Sequence, residues 1–246
     1  MKISWPKRET FYGFNALGAS HTAPGGNSSA NFDDYKVRTD SLLDWILAHK
    51  PRLMALNEFQ ILQQTYALDD VWFAARYSSY FMEDNGIFWK TKRFAVVKRG
   101  VLSMPYFNGE LKLYPYVILR TKSFLPFVKE KTFAILSAHN PANTRGDHME
   151  ERHDAWHIEG EWAQFLMKKH PGINIYVYAD RNAEAKNVMS VLSEYGAVLV
   201  GADTQRGIDQ ITRYGDKSKG SRFRTYWNNF IAKMSDHPIV SARIKL

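Results

Sequence analysis

Not one cysteine occurs in the chain. That excludes disulfides, thiolate metal sites and cysteine nucleophiles, so any metal must bind through oxygen or imidazole. Long apolar runs are missing too: no stretch approaches the roughly 18 residues of a membrane span. The opening Met1-Lys2-Ile3-Ser4-Trp5-Pro6-Lys7-Arg8-Glu9 has no apolar core of signal-peptide length. The expectation is a soluble, cytoplasmic protein with no membrane association and no obligate protein partner. Acidic residues are in deficit, 25 against 33 Lys and Arg, for a formal net charge of +8. A surface of that sign attracts a phosphate backbone without reading any base. Repeats, low-complexity segments and linkers are also absent, so residues 1–246 are expected to form one domain. What is abundant is core material, with 45% hydrophobic and 14% aromatic residues, which excludes a disordered chain.

Residues 10–17 read as a first strand with Asn15 near its end. The stretch 18–34, rich in Gly, Ser, Ala and Asn and containing His21, reads as a long loop of the kind that carries function. Val37, Leu42, Leu43, Ile46 and Leu47 recur at near-helical spacing, predicting an amphipathic helix over 35–49 that ends at Pro51. Residues 52–58 read as a buried strand running into the polar pair Asn57-Glu58, followed by a short helix over 61–68. Strands are expected between 71 and 89 around the turn Asp84-Asn85-Gly86, then over 93–104 and 114–123 with Phe107-Asn108-Gly109 between them. A turn at 126–131 leads to a buried strand over 132–139 that closes on His139. A helix over 147–169 places Ala155, Ile158, Trp162, Phe165 and Leu166 on one face. The β-formers Ile175 to Tyr178 lead to Asp180, and a helix over 184–195 follows. Strands at 198–200, 208–213, 221–227 and 238–245 complete the set. Strands outnumber helices and hairpin-length links mix with helical crossovers, which predicts a layered α+β sandwich with helices outside the sheets.

Several of these strands end in, or lead into, a group able to bind a metal or a phosphate. They are Asn15, Asn57-Glu58, His139-Asn140, Asp180 with Asn182, Asp209, and Ser235-Asp236-His237. Singly such residues are ordinary strand ends. Asp180 and Asn182 alone read first as a turn and helix N-cap, and second as a pair converging on a water or phosphate oxygen beside a hard cation. Six places of this kind in one chain point to a site.

In order along the chain these segments resemble the motifs of the endonuclease/exonuclease/phosphatase superfamily, the DNase I-like fold. Phe14-Asn15 resembles the first-strand Asn, and Met54-Ala55-Leu56-Asn57-Glu58 the apolar-Gln-Glu motif. Ser137-Ala138-His139 resembles the strand-ending His, and Tyr178-Ala179-Asp180-Arg181-Asn182 is similar to Gly-Asp-x-Asn. Gly207-Ile208-Asp209-Gln210-Ile211 resembles Ile-Asp-Tyr-Ile, and Ser235-Asp236-His237-Pro238-Ile239-Val240 resembles Ser-Asp-His-x-Pro-Val with the Pro one position early. Residues 14–22 also resemble versions in actinobacterial and phage members. Asn57, Ala179 and Gln210 depart from the usual Gln, Gly and aromatic. The resemblance implies a four-layer α/β/β/α sandwich of two mixed sheets and hydrolysis of a phosphate ester with Mg²⁺ or Mn²⁺.

Carried over, the family's roles place Glu58, Asn15 and Asp236 at the metal. His237 is implied to contact the scissile phosphate or to work as acid or base, oriented by Asp209, while Asp180 positions or deprotonates the attacking water with help from Asn182. His139 is implied to donate to a non-bridging oxygen or to protonate the leaving group. Either histidine also reads as a hydrogen-bonded strand-end residue. Arg152 is a candidate brace, and His21 a candidate phosphate contact. His153 and His157 stand one turn apart, as in a zinc-protease helix, but Asp154 is shorter than that motif's Glu and no third ligand is near. They read as a solvated helix face. Two basic stretches, 90–93 and 217–224, could track a nucleic-acid backbone, with Phe223, Tyr226 and Trp227 available for stacking, or could be solvated loops. The resulting expectation is a metal-dependent nuclease acting on DNA or RNA. The alternatives are a phosphatase or phosphodiesterase for a small phosphorylated molecule or lipid head group, and a catalytically silent nucleic-acid-binding protein.

Overall fold

β-branched and aromatic runs become strands, and the two longest crossovers become helices. The computed structural model describes residues 8–123, 130–215 and 222–245. The first half runs β1 (Arg8–Asn15), α1 (Ala19–Thr22), α2 (Tyr35–His49), β2 (Leu53–Asn57), α3 (Ile61–Asp69), α4 (Val71–Ala74), β3 (Tyr77–Met82) and β4 (Asn85–Lys90). Then come β5 (Phe94–Pro105), β6 (Leu111–Thr121), β7 (Thr132–His139), α5 (Met149–Lys169) and β8 (Asn174–Asp180). The chain closes with α6 (Ala185–Leu192), β9 (Val198–Ala202), β10 (Asp209–Tyr214), β11 (Phe223–Tyr226), α7 (Ile231–Met234) and β12 (Ile239–Lys245).

The strands form two sheets of six, ordered β11-β12-β1-β2-β4-β3 and β5-β6-β7-β8-β10-β9. One pair in each sheet is parallel, β1 with β2 and β7 with β8. Parallel neighbours need a long crossover, and α2 and α5 supply it. Parallel pairing also sets strand ends side by side, Asn15 against Asn57 in one sheet and His139 against Asp180 in the other. β10 runs back from the same edge, so Asp209 pairs with Asp180. The register thus collects polar strand ends from both sheets at one end of the sandwich.

Phe11, Leu53, Ile87, Ile135, Tyr176 and Ile211 fill the layer between the sheets. On one outer face Leu42, Trp45 and Ile46 of α2 pack on Met54 and Phe88. On the other, Trp156, Trp162 and Leu166 of α5 pack on Leu136 and Val177. This is the expected four-layer α/β/β/α sandwich. At Gly13 the sheets approach so closely that a Cβ would sit 2.0 Å from the Tyr178 ring, so β1 requires glycine there.

The helix faces differ from their expected phase. In α2, Val37 and Leu47 are exposed while Arg38 and Trp45 are buried. Arg38 replaces lost hydration by donating to the carbonyls of Ala16 (2.8 Å), Leu17 (2.7 Å) and Met234 (3.0 Å). In α5, Phe165 is exposed, whereas Trp156 and Glu159 are buried. Residues 71–74 form a helix where a strand was expected, capped by Asp70, whose carboxylate accepts from the Phe73 amide at 2.6 Å. The β3–β4 turn lies at Glu83-Asp84, one position early, because buried Asn85 is committed to Asn57. α1 and α7, one turn each, are too short to show a period. Of the expected turn at 126–131, residues 126–129 lie outside the described residues. No helix among the described residues is long and apolar enough to cross a membrane.

Candidate active site

Asn15, at the end of β1, ties the two sheets together. Its Nδ2 donates to Glu58 Oε1 at 2.9 Å and to Asp180 Oδ2 at 3.0 Å, while its Oδ1 accepts from the Leu17 amide at 3.1 Å. The donor end of Asn15 therefore faces the carboxylates and sets their positions. Glu58 leaves β2 with φ 51°, a left-handed conformation costly for a residue with a long side chain. Its Oε2 accepts from the Gly18 amide at 3.2 Å and lies 3.2 Å from His21 Nε2, which α1 brings over the site. His139 Nε2 lies 3.7 Å from Glu58 Oε1 and 3.9 Å from Asp180 Oδ2.

Asp180 is held on every side. Its amide donates to Asn57 Oδ1 at 3.0 Å, and its Oδ1 accepts from the Asn182 amide at 3.0 Å. Asn57 also donates to Asn85 Oδ1 (2.8 Å) and to Ser137 Oγ (3.0 Å), so the Asn at this position of the Asn-Glu pair braces the floor of the site. Asn182, at φ 46°, donates through Nδ2 to the Asn140 carbonyl at 2.9 Å. Its carboxamide oxygen makes no hydrogen bond among the described residues.

Beside Asp180 stands the His237–Asp209 pair, Nδ1 to Oδ2 at 2.7 Å. Asp209 Oδ1 accepts from the Tyr178 hydroxyl at 2.7 Å, and the Asp209 amide donates to Asp203 Oδ2 at 2.9 Å. With Nδ1 committed, Nε2 is the imidazole atom left for a substrate. Asp236 stands at the rim, where its Oδ2 accepts from Arg206 Nη2 at 3.2 Å, and its Oδ1 is buried without a hydrogen bond.

These environments separate the charges. Burial raises the Asp180 pKa, and nearby Asp209 adds to the rise. Burial acts upward on Glu58 as well, but the hydrogen bond from His21, the charge of His139 and the Asn15 amide outweigh it and hold this carboxyl well below the usual range. For His237 burial acts downward and is outweighed by Asp209 and Asp180, leaving a pKa of about 10. His21 is raised to about 9 by its hydrogen bond to Glu58. These environments thus bias Glu58 toward its charged form, His21 and His237 toward imidazolium, and Asp180 toward accepting a proton.

Glu58, His139 and Asp180 offer ligand atoms within 4.8 Å of one another, as do Asp180, Asp209 and His237. This oxygen-rich, sulfur-free donor set suits a hard divalent cation such as Mg²⁺ or Mn²⁺. Asp236 Oδ1, which accepts no hydrogen bond and lies 3.9 Å from His237 Nε2, adds an acceptor at the rim. All of these groups except Asp209 and Asn15 line one cleft of about 730 Å³.

The fold brings together Asn15, Glu58, His139, Asp180, Asn182, Asp209, Asp236 and His237, and adds His21. Arg152 braces the loop after β7, donating to the Pro141 carbonyl (3.0 Å) and Asn143 Oδ1 (2.8 Å). His153 stacks near Trp156 (centroids 5.1 Å) and His157 Nδ1 lies 2.8 Å from the Tyr195 hydroxyl, so neither joins a metal-ligand cluster. The 90–93 stretch lies at the far end of β4 from the cleft, where Arg93 pairs with Glu9 at 2.8 Å. Of the 217–224 stretch, residues 217–221 lie outside the described residues, and Phe223 turns inward over Gly201. Sequence reasoning did not single out Tyr178, Arg38, Tyr106 or Lys112. Tyr106 lies 6.0 Å from the His139 ring, and Lys112 Nζ sits 4.2 Å from the Tyr106 centroid while pairing with Asp84 at 2.8 Å. No strand-end signal marks these residues, because each acts from within a strand, from a helix or from a connection.

No family model and no curated protein matches the chain. Solved structures do. The human Nocturnin catalytic domain with bound sulfate is 14% identical, with a TM-score of 0.71 over 98% of this chain and 95% of that one. An endonuclease/exonuclease/phosphatase from Bacteroides vulgatus is 12% identical, with a TM-score of 0.73 over 97% and 99%. A mannosyl-6-phosphatase from Bacteroides thetaiotaomicron is 15% identical, with a TM-score of 0.70 over 96% and 99%. At these identities the likeness establishes the fold.

Proposed function

Taking as premise that the chain has the DNase I-like fold of endonuclease/exonuclease/phosphatase proteins, we propose that it is a divalent-metal-dependent phosphodiesterase, a nuclease acting on DNA or RNA. One observation carries this reading: the Asp209–His237 pair, Asp180 and Glu58 meet at adjoining strand ends, with Asn15 donating to both Asp180 and Glu58. Glu58 would hold Mg²⁺ or Mn²⁺, with Asn15 setting its carboxylate and Asp236 as the second acid of the cleft. A bound cation of this kind supplies charge neutralisation at a phosphate oxygen.

This chain's own residues then divide the work. His237 donates from Nε2 to a non-bridging phosphate oxygen, and Asp209, accepting from Nδ1, holds the ring in the orientation that permits it. His139 donates to a second such oxygen. Asp180 takes one proton from the attacking water while the Asn182 carboxamide oxygen accepts a hydrogen bond from the other. A bond forms from the water oxygen to phosphorus, the bond to the leaving oxygen breaks, and that oxygen takes a proton from solvent. The net charge of +8 favours a polyanionic substrate.

A second reading, a phosphomonoesterase for a small substrate, has one observation behind it. Lys112 and Arg206, two cations of the cleft wall, are already paired with Asp84 and Asp236. Plasmid, single-stranded DNA and RNA incubated with Mg²⁺, with and without chelator, decide between the two. Metal-dependent strand cleavage is expected. Phosphate release from small esters without strand cleavage would sink the nuclease reading, and tight nucleic-acid binding with no hydrolysis would sink both.

A further inference from the structure

On the outer face of the first sheet, at its β11-β12-β1 edge, side chains enclose a cavity of about 250 Å³. Three arginines line it, Arg222, Arg224 and Arg243. The strand register brings them together. Arg224 pairs with Ser241, and the Arg243 amide donates to the Arg222 carbonyl at 3.2 Å. Arg222 and Arg243 are therefore directly opposite, with Arg224 on the diagonal. Like charges so placed across a sheet destabilise it. Elsewhere the molecule relieves such crowding, as where Glu9 takes both Arg52 (2.6 Å) and Arg93 (2.8 Å). Among the described residues, no acidic residue lines this cavity.

Its remaining walls are hydroxyl groups. Thr10 pairs with Arg243 and Tyr12 with Ser241, which places both β1 side chains on the cavity face. The Tyr12 and Tyr226 ring centroids lie 6.2 Å apart, and buried Ser241 Oγ lies 3.5 Å from the Tyr226 oxygen. Three guanidinium forks over a floor of hydroxyls, with no carboxylate among the described residues, match the chemistry that binds phosphate oxygens. The catalytic cleft is elsewhere: Arg243 lies four residues along β12 from Ile239, about 13 Å at the strand rise, and the side chain faces outward.

We propose that this cavity is a phosphate-binding site separate from the catalytic cleft, taking either a small phosphate such as pyrophosphate or a phosphate of a polynucleotide strand. It does not depend on the catalytic reading, since it is measured without metal. Pyrophosphate is titrated calorimetrically into metal-free protein, with backbone amide shifts followed by NMR. Shifts at Arg224, Tyr226, Ser241 and Arg243 are expected, separate from any at His237. The Arg224→Gln/Arg243→Gln variant should bind about tenfold more weakly or worse, since each lost fork removes charge-assisted hydrogen bonds. Both side chains are exposed, so the variant keeps its fold, and Arg224→Lys/Arg243→Lys should retain intermediate binding. Unchanged affinity in the glutamine variant, or shifts confined to the cleft, overturns the site. A short single-stranded oligonucleotide in the same buffer identifies the source. A parallel loss of affinity assigns the site to a strand, whereas oligonucleotide binding unaltered by the glutamines, with pyrophosphate binding lost, assigns it to small phosphates.

Discussion

Two regions of this molecule collect charge in opposite ways. At the strand-end cleft the charged groups are paired by internal partners: Asn15 for Glu58, Asp209 for His237, Glu159 for Arg181 just below. On the outer face of the β11-β12-β1 edge, three cations crowd together with no acid among the described residues of the cavity they line. Internal pairing fixes geometry, which chemistry requires, whereas clustered cations favour an external anion. The cleft is preorganised; the arginine cavity is rich in charge of one sign.

Breaking the cleft should produce the largest effects. Asp180→Asn removes the proton acceptor but keeps the shape, and the rate of phosphoester hydrolysis should fall by about 10²–10⁴-fold with little change in melting temperature. Initial rates at saturating Mg²⁺ check this. A variant within about threefold of wild type would remove Asp180 from the mechanism.

Glu159→Gln tests the internally paired half of the comparison. Arg181 and Glu159 are both buried and joined at 2.6 and 3.0 Å, and the Tyr214 hydroxyl donates to the same carboxylate at 2.9 Å. Leaving that guanidinium without its counter-charge should cost about 3–5 kcal/mol, read from urea denaturation. A loss under about 1 kcal/mol would show that the pair is solvated or replaceable.

His237 links charge to pH. Its folded pKa of about 10 lies above the ordinary 6.5. The folded state therefore keeps a proton that the unfolded chain gives up, and the stabilisation is complete below pH 6.5 and lost as pH rises through 10. Metal-free protein should need less urea to unfold at about pH 9.5 than at about pH 6.5, and His237→Gln should flatten that decline. Parallel curves for the two proteins would contradict the assignment.

The smallest effect is expected at the other region. Arg243→Gln, on an exposed side chain, should leave phosphoester hydrolysis of a small substrate unchanged and shift stability by no more than about 0.5 kcal/mol in phosphate-free buffer. A large catalytic loss there would erase the distinction between the two regions.

Glu58, His139 and Asp180 were legible in the chain because apolar strands stop at them, and His237 because it leads into one; a polar group bordering a buried strand stands out against its run. Their partners were less legible. Tyr178 reads as one more aromatic core residue until its ring lies across Gly13 and its hydroxyl reaches Asp209. Arg38 breaks the apolar face expected of α2 because carbonyls from two distant segments satisfy it. Asn15 was expected at a metal, and its amide instead presents its donors to two carboxylates. Arg181, beside the Asp180 it follows, has its explanation in Glu159, 22 residues earlier on α5.

By itself the sequence determined the longer elements, the layered α+β class, the order of the polar strand ends and the exclusion of sulfur chemistry. All of these rest on local period, composition or spacing, which a chain carries before it folds. Tertiary structure alone decided which ends meet, which nitrogen of His237 is free, and that Arg222, Arg224 and Arg243 face one cavity. Those are consequences of strand register and sheet packing, and a one-residue slip in register would turn each of these side chains to the other face.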